Sequence, residues 1–177
     1  MADFNYVTWT DGAPVSSEYL TKMSENDQNL KDLLEAMPQG ILGWAESATE
    51  TLATTKGVFV VLDGMTLDVD IPADRLIRVS YHHKGIKPSG VNTSSVSIHM
   101  DGTQLCLSLN AEHKEWNGGP WTISHVHSPP AGTHRYTVRG KKWNGDPGNP
   151  TKYRATAVAP RQLIVEDLGA YIDPSGT

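Results

Sequence analysis

The sequence holds one cysteine, Cys106, in 177 residues. A lone thiol closes no intrachain disulfide, and a cysteine-rich zinc site is excluded with it. Aromatic residues make up only 7% and apolar residues 38%, below the globular average. No run approaches the roughly 18 consecutive apolar residues of a membrane-spanning helix, so no membrane partner is expected. The opening residues, Met1-Ala2-Asp3-Phe4-Asn5, lack the basic region and apolar core of a secretory signal. Synthesis and folding in a cytoplasm, without export by that route, is the expectation.

Positive charge is also scarce. Lys and Arg number 15 against 20 Asp and Glu, a formal net charge of −5. A nucleic-acid partner needs a concentrated basic face, so none is expected. Arg139, Lys141 and Lys142 sit beside a turn and read as solvated charge. Catalytic signatures are missing too: no Gly-x-Ser-x-Gly elbow, no phosphate-binding glycine loop and no His-Glu-x-x-His. The carboxylate pairs Asp68 with Asp70 and Glu166 with Asp167 could serve a polysaccharide hydrolase only if they faced each other across a cleft. The protein is expected to be no enzyme and to hold no cofactor.

Turn formers are plentiful, with 16 Gly and 11 Pro, which favours many short strands over long helices. Residues 1–14 form an arm closed by Asp11-Gly12-Ala13-Pro14. A helix follows, capped by Ser16 or Ser17, with Glu18 in its first turn and Pro38 and Gly40 at its end. Tyr19, Met23, Asn26, Leu30, Leu33 and Met37 recur at spacings of four and three, a heptad seam with one polar member. Asn26 in such a seam costs stability but fixes register and chain number. The seam predicts self-association, expected to be a trimeric coiled coil. It spans only about two and a half heptads, so a lone amphipathic helix packed on its own domain fits the same spacing.

Beyond Thr51 the apolar period changes from about 3.6 to 2. Met65, Leu67, Val69 and Ile71 alternate with polar residues, as do Ile77, Val79 and Tyr81. So do Val96, Ile98 and Met100, then Leu105, Leu107 and Leu109, then Tyr136 and Val138, and finally Leu163 and Val165. Asp63-Gly64 and Asp101-Gly102 read as two-residue hairpin turns, because glycine accepts the positive φ they need. Asn117 to Pro120 and Asn144 to Gly148 read as longer loops. Eight to ten short strands at this spacing predict a mainly β protein, an antiparallel, jelly-roll-like sandwich over 41–177, preceded by the arm and helix of 1–40.

Three groups of side chains invite a site. His125 and His127, two apart on one strand, would share a face and could chelate a metal with a third histidine; exposed histidines are the plainer reading. Trp116, Trp121 and Trp143 lie in or beside the glycine-rich loops. There they could stack on a cell-surface glycan, anchor an interface, or cap the open end of the sandwich. Tyr6, Trp9 and Val15 are apolar residues in an otherwise polar arm, expected to attach the chain to a larger particle or to fold back on their own trimer. Cys106, with no basic neighbour in view, is expected to be inert.

Several stretches resemble known proteins. Tyr6-Val7-Thr8-Trp9-Thr10-Asp11-Gly12, then Pro14 to Leu20, Met23 to Asn26 and Leu30, are similar to the leaders of small tailed-bacteriophage virion proteins. Pro160 to Gly169 resembles the last strand of β-sandwich virion proteins from phages of actinobacteria. Pro129-Pro130-Ala131-Gly132-Thr133-His134-Arg135-Tyr136 resembles the start of a sandwich strand in the same group. The resemblance covers both ends and part of the middle, and implies a homotrimeric accessory protein of the virion, made in the host cytoplasm. A capsid decoration or head fibre, a minor tail protein and a receptor-binding tip are all compatible with it. The partner would be the major capsid or tail protein. No catalytic residue is implied.

Overall fold

A computed structural model describes residues 17–83, 86–88, 94–110, 121–143 and 150–171. Tyr6, Trp9, Val15 and Trp116, the predicted cap Ser16 and the loops at 117–120 and 144–148 lie outside the described residues; of Tyr19 and Trp121 only the backbone is described. The chain divides into two compact units, residues 1–38 and 39–177.

The first unit contains helix α1, Ser17–Ala36. Its exposed polar face carries i, i+4 pairs, Lys31 with Glu35 at 3.8 Å and Gln28 with Asp32 at 2.6 Å. Such pairs contribute only about 0.3–0.5 kcal/mol each. The amide of Met37 closes a last tight turn on the carbonyl of Leu34, and Pro38, which cannot extend the hydrogen-bond ladder, follows.

The second unit is all β. Its strands are β1 (Gly40–Ser47), β2 (Thr51–Ala53), β3 (Phe59–Ile71), β4 (Arg75–His83), β5 (Ile86–Pro88), β6 (Ser94–Met100), β7 (Thr103–Asn110), β8 (Trp121–His127), β9 (Gly132–Lys142), β10 (Thr151–Tyr153) and β11 (Arg161–Ala170). One four-stranded sheet has the order β1-β11-β4-β8 and the other β3-β9-β6-β7. Among the long strands the first pairs with the last (β1 with β11), the second with the second-last (β3 with β9), then β4 with β8 and β6 with β7, all antiparallel. The chain is thus one long hairpin, folded at Asp101-Gly102 and rolled into two facing sheets. That is the jelly roll, a fold shared by viral capsid proteins, lectins and cupins.

The core lies between the sheets and uses the alternating residues read from the sequence. Met65, Ile77, Val79, Val96, Ile98, Tyr136, Val138, Leu163 and Val165 are all fully buried. Gly43 on β1 lies so close to Leu67 and Val69 of β3 that a Cβ there would collide with both. This closes one side of the sandwich.

The two ends of the sandwich differ. Short turns at 72–74, 101–102 and 128–131 join strands at one end, where the amide of Tyr171 also reaches the carbonyl of Asp74. At the other, β2, β10 and β5 form a small third sheet. Tyr153 of β10 fixes that sheet to the sandwich: its ring occupies the space where a side chain on Gly140 would stand. Its hydroxyl donates to the carbonyls of Ser95 and Lys141 at 2.9 and 3.0 Å. Arg161 is fully buried and donates to Thr51 Oγ1 and to the carbonyls of Thr49 and Asp63, binding the start of β11 to the first long connection.

Three expectations need correction. Asp63-Gly64 is no hairpin turn but part of a bulge inside β3, where the register jumps between Val61 and Thr66 and Gly64 takes φ +72°. A glycine at positive φ serves a bulge as well as a turn. On β7 the face assignment is reversed. Cys106 and Ser108 lie opposite the inward residues Ile98 and Val96, while Leu107 lies opposite Ser97 on the outer face and is 39% exposed. A bulge opposite Ile98 and His99 changes the phase, which lets Leu105 also pack against the core. The third concerns β1, which the period-2 reading passed over. Its alternation is hidden by a register shift between Ile41 and Gly43.

Candidate functional site

The seam on α1 is open to solvent. Met23, Leu30, Leu33 and Met37 are 46–52% exposed, and Asn26 is half-buried among them. Two leucines absent from the sequence reading widen it: Leu20 and Leu34, 59% and 60% exposed, each one residue beyond a seam position. Their spacing of fourteen, two heptads, was the available signal. At both ends of the helix the stripe is thus three positions wide, broader than the two-position seam of a strict coiled coil, while Asn26 and Asp27 interrupt it in the middle.

The tryptophans fare differently. Trp143 is half-buried; its indole N–H donates to Ser95 Oγ at 2.9 Å, and the Lys141 ammonium stands 3.6 Å from its ring centroid. The same ammonium lies 4.9 Å from the Phe59 ring, which meets His99 edge-on. One face of the Trp143 indole is therefore already occupied within the chain. Trp44, not singled out in the sequence, is 55% exposed on the outward face of β1.

His125 and His127 do share a face, the inward one, opposite Val79 and Ile77 at the open edge of β8. Their rings are 5.6 Å apart. His127 Nε2 shares a hydrogen bond with the Tyr136 hydroxyl at 3.1 Å. Burial, followed by the nearby charges of His125 and His134, pushes the pKa of His127 down to about 4. His134 behaves oppositely. Its Nδ1 lies 2.7 Å from Asp101 Oδ2, and that bond raises its pKa. Among the described residues no three His, Cys, Asp or Glu side chains come together as a metal site.

Three of the four suspected carboxylates are engaged in ion pairs, and the fourth, Asp70, accepts from the Thr133 hydroxyl. Asp68 binds Arg135 at 2.7 and 2.9 Å, Glu166 binds Arg78 at 2.8 and 3.2 Å, and Asp167 binds Arg75 at 2.6 Å in a buried pair. The arginine bonds hold Asp68 and Glu166 below the usual carboxylate range. For Asp167 burial works upward, but the bonds from Arg75 and the Gly169 amide outweigh it and the net shift is downward. None of the three is the raised carboxylic acid that glycoside hydrolysis requires. Burial also raises the Cys106 thiol, which leaves less of the reactive thiolate.

No family model and no curated protein matches the chain. Among solved structures it is similar to a chain of the T13 particle of infectious bursal disease virus, at 14% identity and a TM-score of 0.37, over 75% of this chain and 36% of that one. A second similar chain comes from the Gx strain of that virus, at 12% identity and a TM-score of 0.30, over 78% of this chain and 41% of that one. The chain thus spans well under half the length of these proteins. Likenesses this distant add nothing to the strand order described above.

Proposed function

We propose that the protein is a homotrimeric structural component of a tailed-phage virion, a capsid decoration or head-fibre protein made in the host cytoplasm and displayed on the particle surface. The observation that carries this reading is the open apolar seam on α1, joined to a jelly roll with a complete core of its own. Six large apolar side chains at 46–60% exposure are costly in water, and a heptad stripe is best covered by copies of itself. The jelly roll recurs in capsid proteins, although a fold alone assigns no role. The arm residues Tyr6, Trp9 and Val15 would then bind the major capsid or tail protein, and three copies would add avidity.

Light scattering on the intact chain tests the trimer, which should weigh three times 19.3 kDa. Electron microscopy of particles with and without the gene product tests the location, and unchanged particle density would remove the virion reading. The small third sheet of β2, β10 and β5, set at the end away from the short turns, favours a second reading, a minor tail or receptor-binding protein whose sandwich meets a cell-surface glycan. A glycan array probed with the trimer separates the two.

A further inference from the structure

We infer that the outward face of β9, at Thr137, Arg139 and Lys141, binds the carboxylate of an acidic sugar, an inference that rests on the glycan reading and names the class of glycan. Tyr136 and Val138 fill the core, so the residues that alternate with them face outward. In register, Thr137 stands beside His99, Arg139 between Val61 and Ser97, and Lys141 between Phe59 and Ser95.

These three side chains offer donors that nothing in the sheet accepts. Among the described arginines, Arg75, Arg78, Arg135 and Arg154 each lie within 3.6 Å of a carboxylate, and Arg161 donates to carbonyls and a hydroxyl. Arg139 differs: it is half-buried, its Nε is covered without an acceptor, and no carboxylate among the described residues pairs with it. The Thr137 hydroxyl, on a side chain only 8% exposed, is likewise covered and without a partner. The Lys141 ammonium meets two rings, Trp143 at 3.6 Å and Phe59 at 4.9 Å, and no described carboxylate. Neighbouring acceptors are already engaged. Ser97 Oγ is bonded to His99 Nε2, Ser95 Oγ accepts from the Trp143 indole, and Asp68 is held by Arg135. A covered donor without an acceptor destabilises the fold, and its usual explanation is an ion or water that completes it. In a chain of net charge −5, two cations left without a carboxylate on one strand face call for an anion from outside.

Size and shape narrow the anion. From Thr137 to Lys141 the strand runs about 13 Å, far short of the roughly 800 Å² that each partner of a stable protein interface covers. The ligand group is therefore small. A guanidinium presents a planar fork that matches the two oxygens of a carboxylate, and a hydroxyl beside it adds a third donor. The half-buried rings of Phe59 and Trp143 flank the cations. A sugar carries C–H groups on its faces and hydroxyls at its rim, so an acidic sugar suits rings and cations together. A glutamate side chain brings the same carboxylate on a flexible stem, which must be ordered on binding and offers the rings no rigid face.

The test titrates the full chain, by isothermal titration calorimetry, with a β-1,4-linked tetramer of glucuronate. Cellotetraose, which has hydroxymethyl groups in place of the carboxylates, tetraglutamate and sodium acetate are the comparison ligands. Binding of the glucuronate alone is expected, weakened about tenfold or more by Arg139→Gln and weakened also by Lys141→Gln. Arg135→Gln removes the same charge from the same face, but there Asp68 already pairs with it, so affinity should hold. Arg139→Gln should melt no lower than the parent, since it removes a cation without a partner. Equal loss in Arg135→Gln and Arg139→Gln overturns the inference, because general charge would then be the cause. Tetraglutamate or acetate bound as tightly as the glucuronate also overturns it. Cellotetraose bound as tightly overturns it and leaves the glycan reading standing. If neither saccharide binds, the inference falls; a silent glycan array then removes the glycan reading with it, and array binding to neutral glycans keeps that reading.

Discussion

Replacing Leu30 and Leu33 together by alanine should dissolve the trimer without touching the sandwich. Both side chains are nearly half exposed in the single chain. Full burial of a leucine is worth about 1.5–3 kcal/mol, so covering the exposed half contributes about 1 kcal/mol each. Six leucines are lost per trimer, about 6 kcal/mol, or about four powers of ten in the trimer association constant. That constant scales with the square of concentration, so the midpoint of assembly should rise about a hundredfold. Alanine is the best helix former, so the change does not act by melting α1. Sedimentation velocity over a wide concentration range reads the midpoint, and circular dichroism checks that the β melt is unchanged. A double variant that assembles at the parent's concentration refutes the reasoning, because the seam would then carry none of the association energy.

Other outcomes follow from particular contacts. Asn26→Leu should tighten association but blur chain number, giving mixed masses by light scattering; an unchanged mass and melting temperature would place Asn26 outside the seam. Gly140→Ala should drive the Tyr153 ring from its seat and lower stability by about 3 kcal/mol, roughly 8 °C in melting temperature, measurable by calorimetry. For His127, with a folded pKa of about 4 against 6.5 unfolded, the unfolded chain binds the extra proton. Stability is therefore full above pH 6.5 and falls by at most about 3 kcal/mol as pH drops toward 4. The His134–Asp101 bond works the other way, holding below pH 6.5 and fading as pH rises through the raised pKa of His134. In His127→Phe the acid loss should shrink, and an unchanged pH profile of denaturant midpoints would show that His127 is not its source.

Much of the fold was legible because a half-buried strand writes its burial into every second residue. Met65 to Ile71, Ile77 to Tyr81 and Leu163 to Val165 face the core as their alternation predicts. Asp101-Gly102 makes the predicted two-residue turn, with φ of +50° and +85°. Where a bulge changes the phase, the signal failed: β1 went unseen, and Cys106 and Leu107 exchanged faces. Short strands such as β2, β5 and β10 are stabilised by contacts distant in sequence, and three residues hold no period to read.

The helix seam belongs to the sequence, since spacing along one helix fixes which side chains share a face. Its widening by Leu20 and Leu34 was legible by the same rule. The pairings of Arg75 with Asp167 and Arg161 with Thr51 belong to the tertiary structure alone, joining residues about a hundred apart. So does the exposure of Trp44. Whether a tryptophan faces core or solvent depends on strand register, and on β1 that register was decided by a bulge and by how closely Gly43 lets two sheets approach. Local pattern determines which residues can share a face, and only the packing of distant strands decides which face is left open.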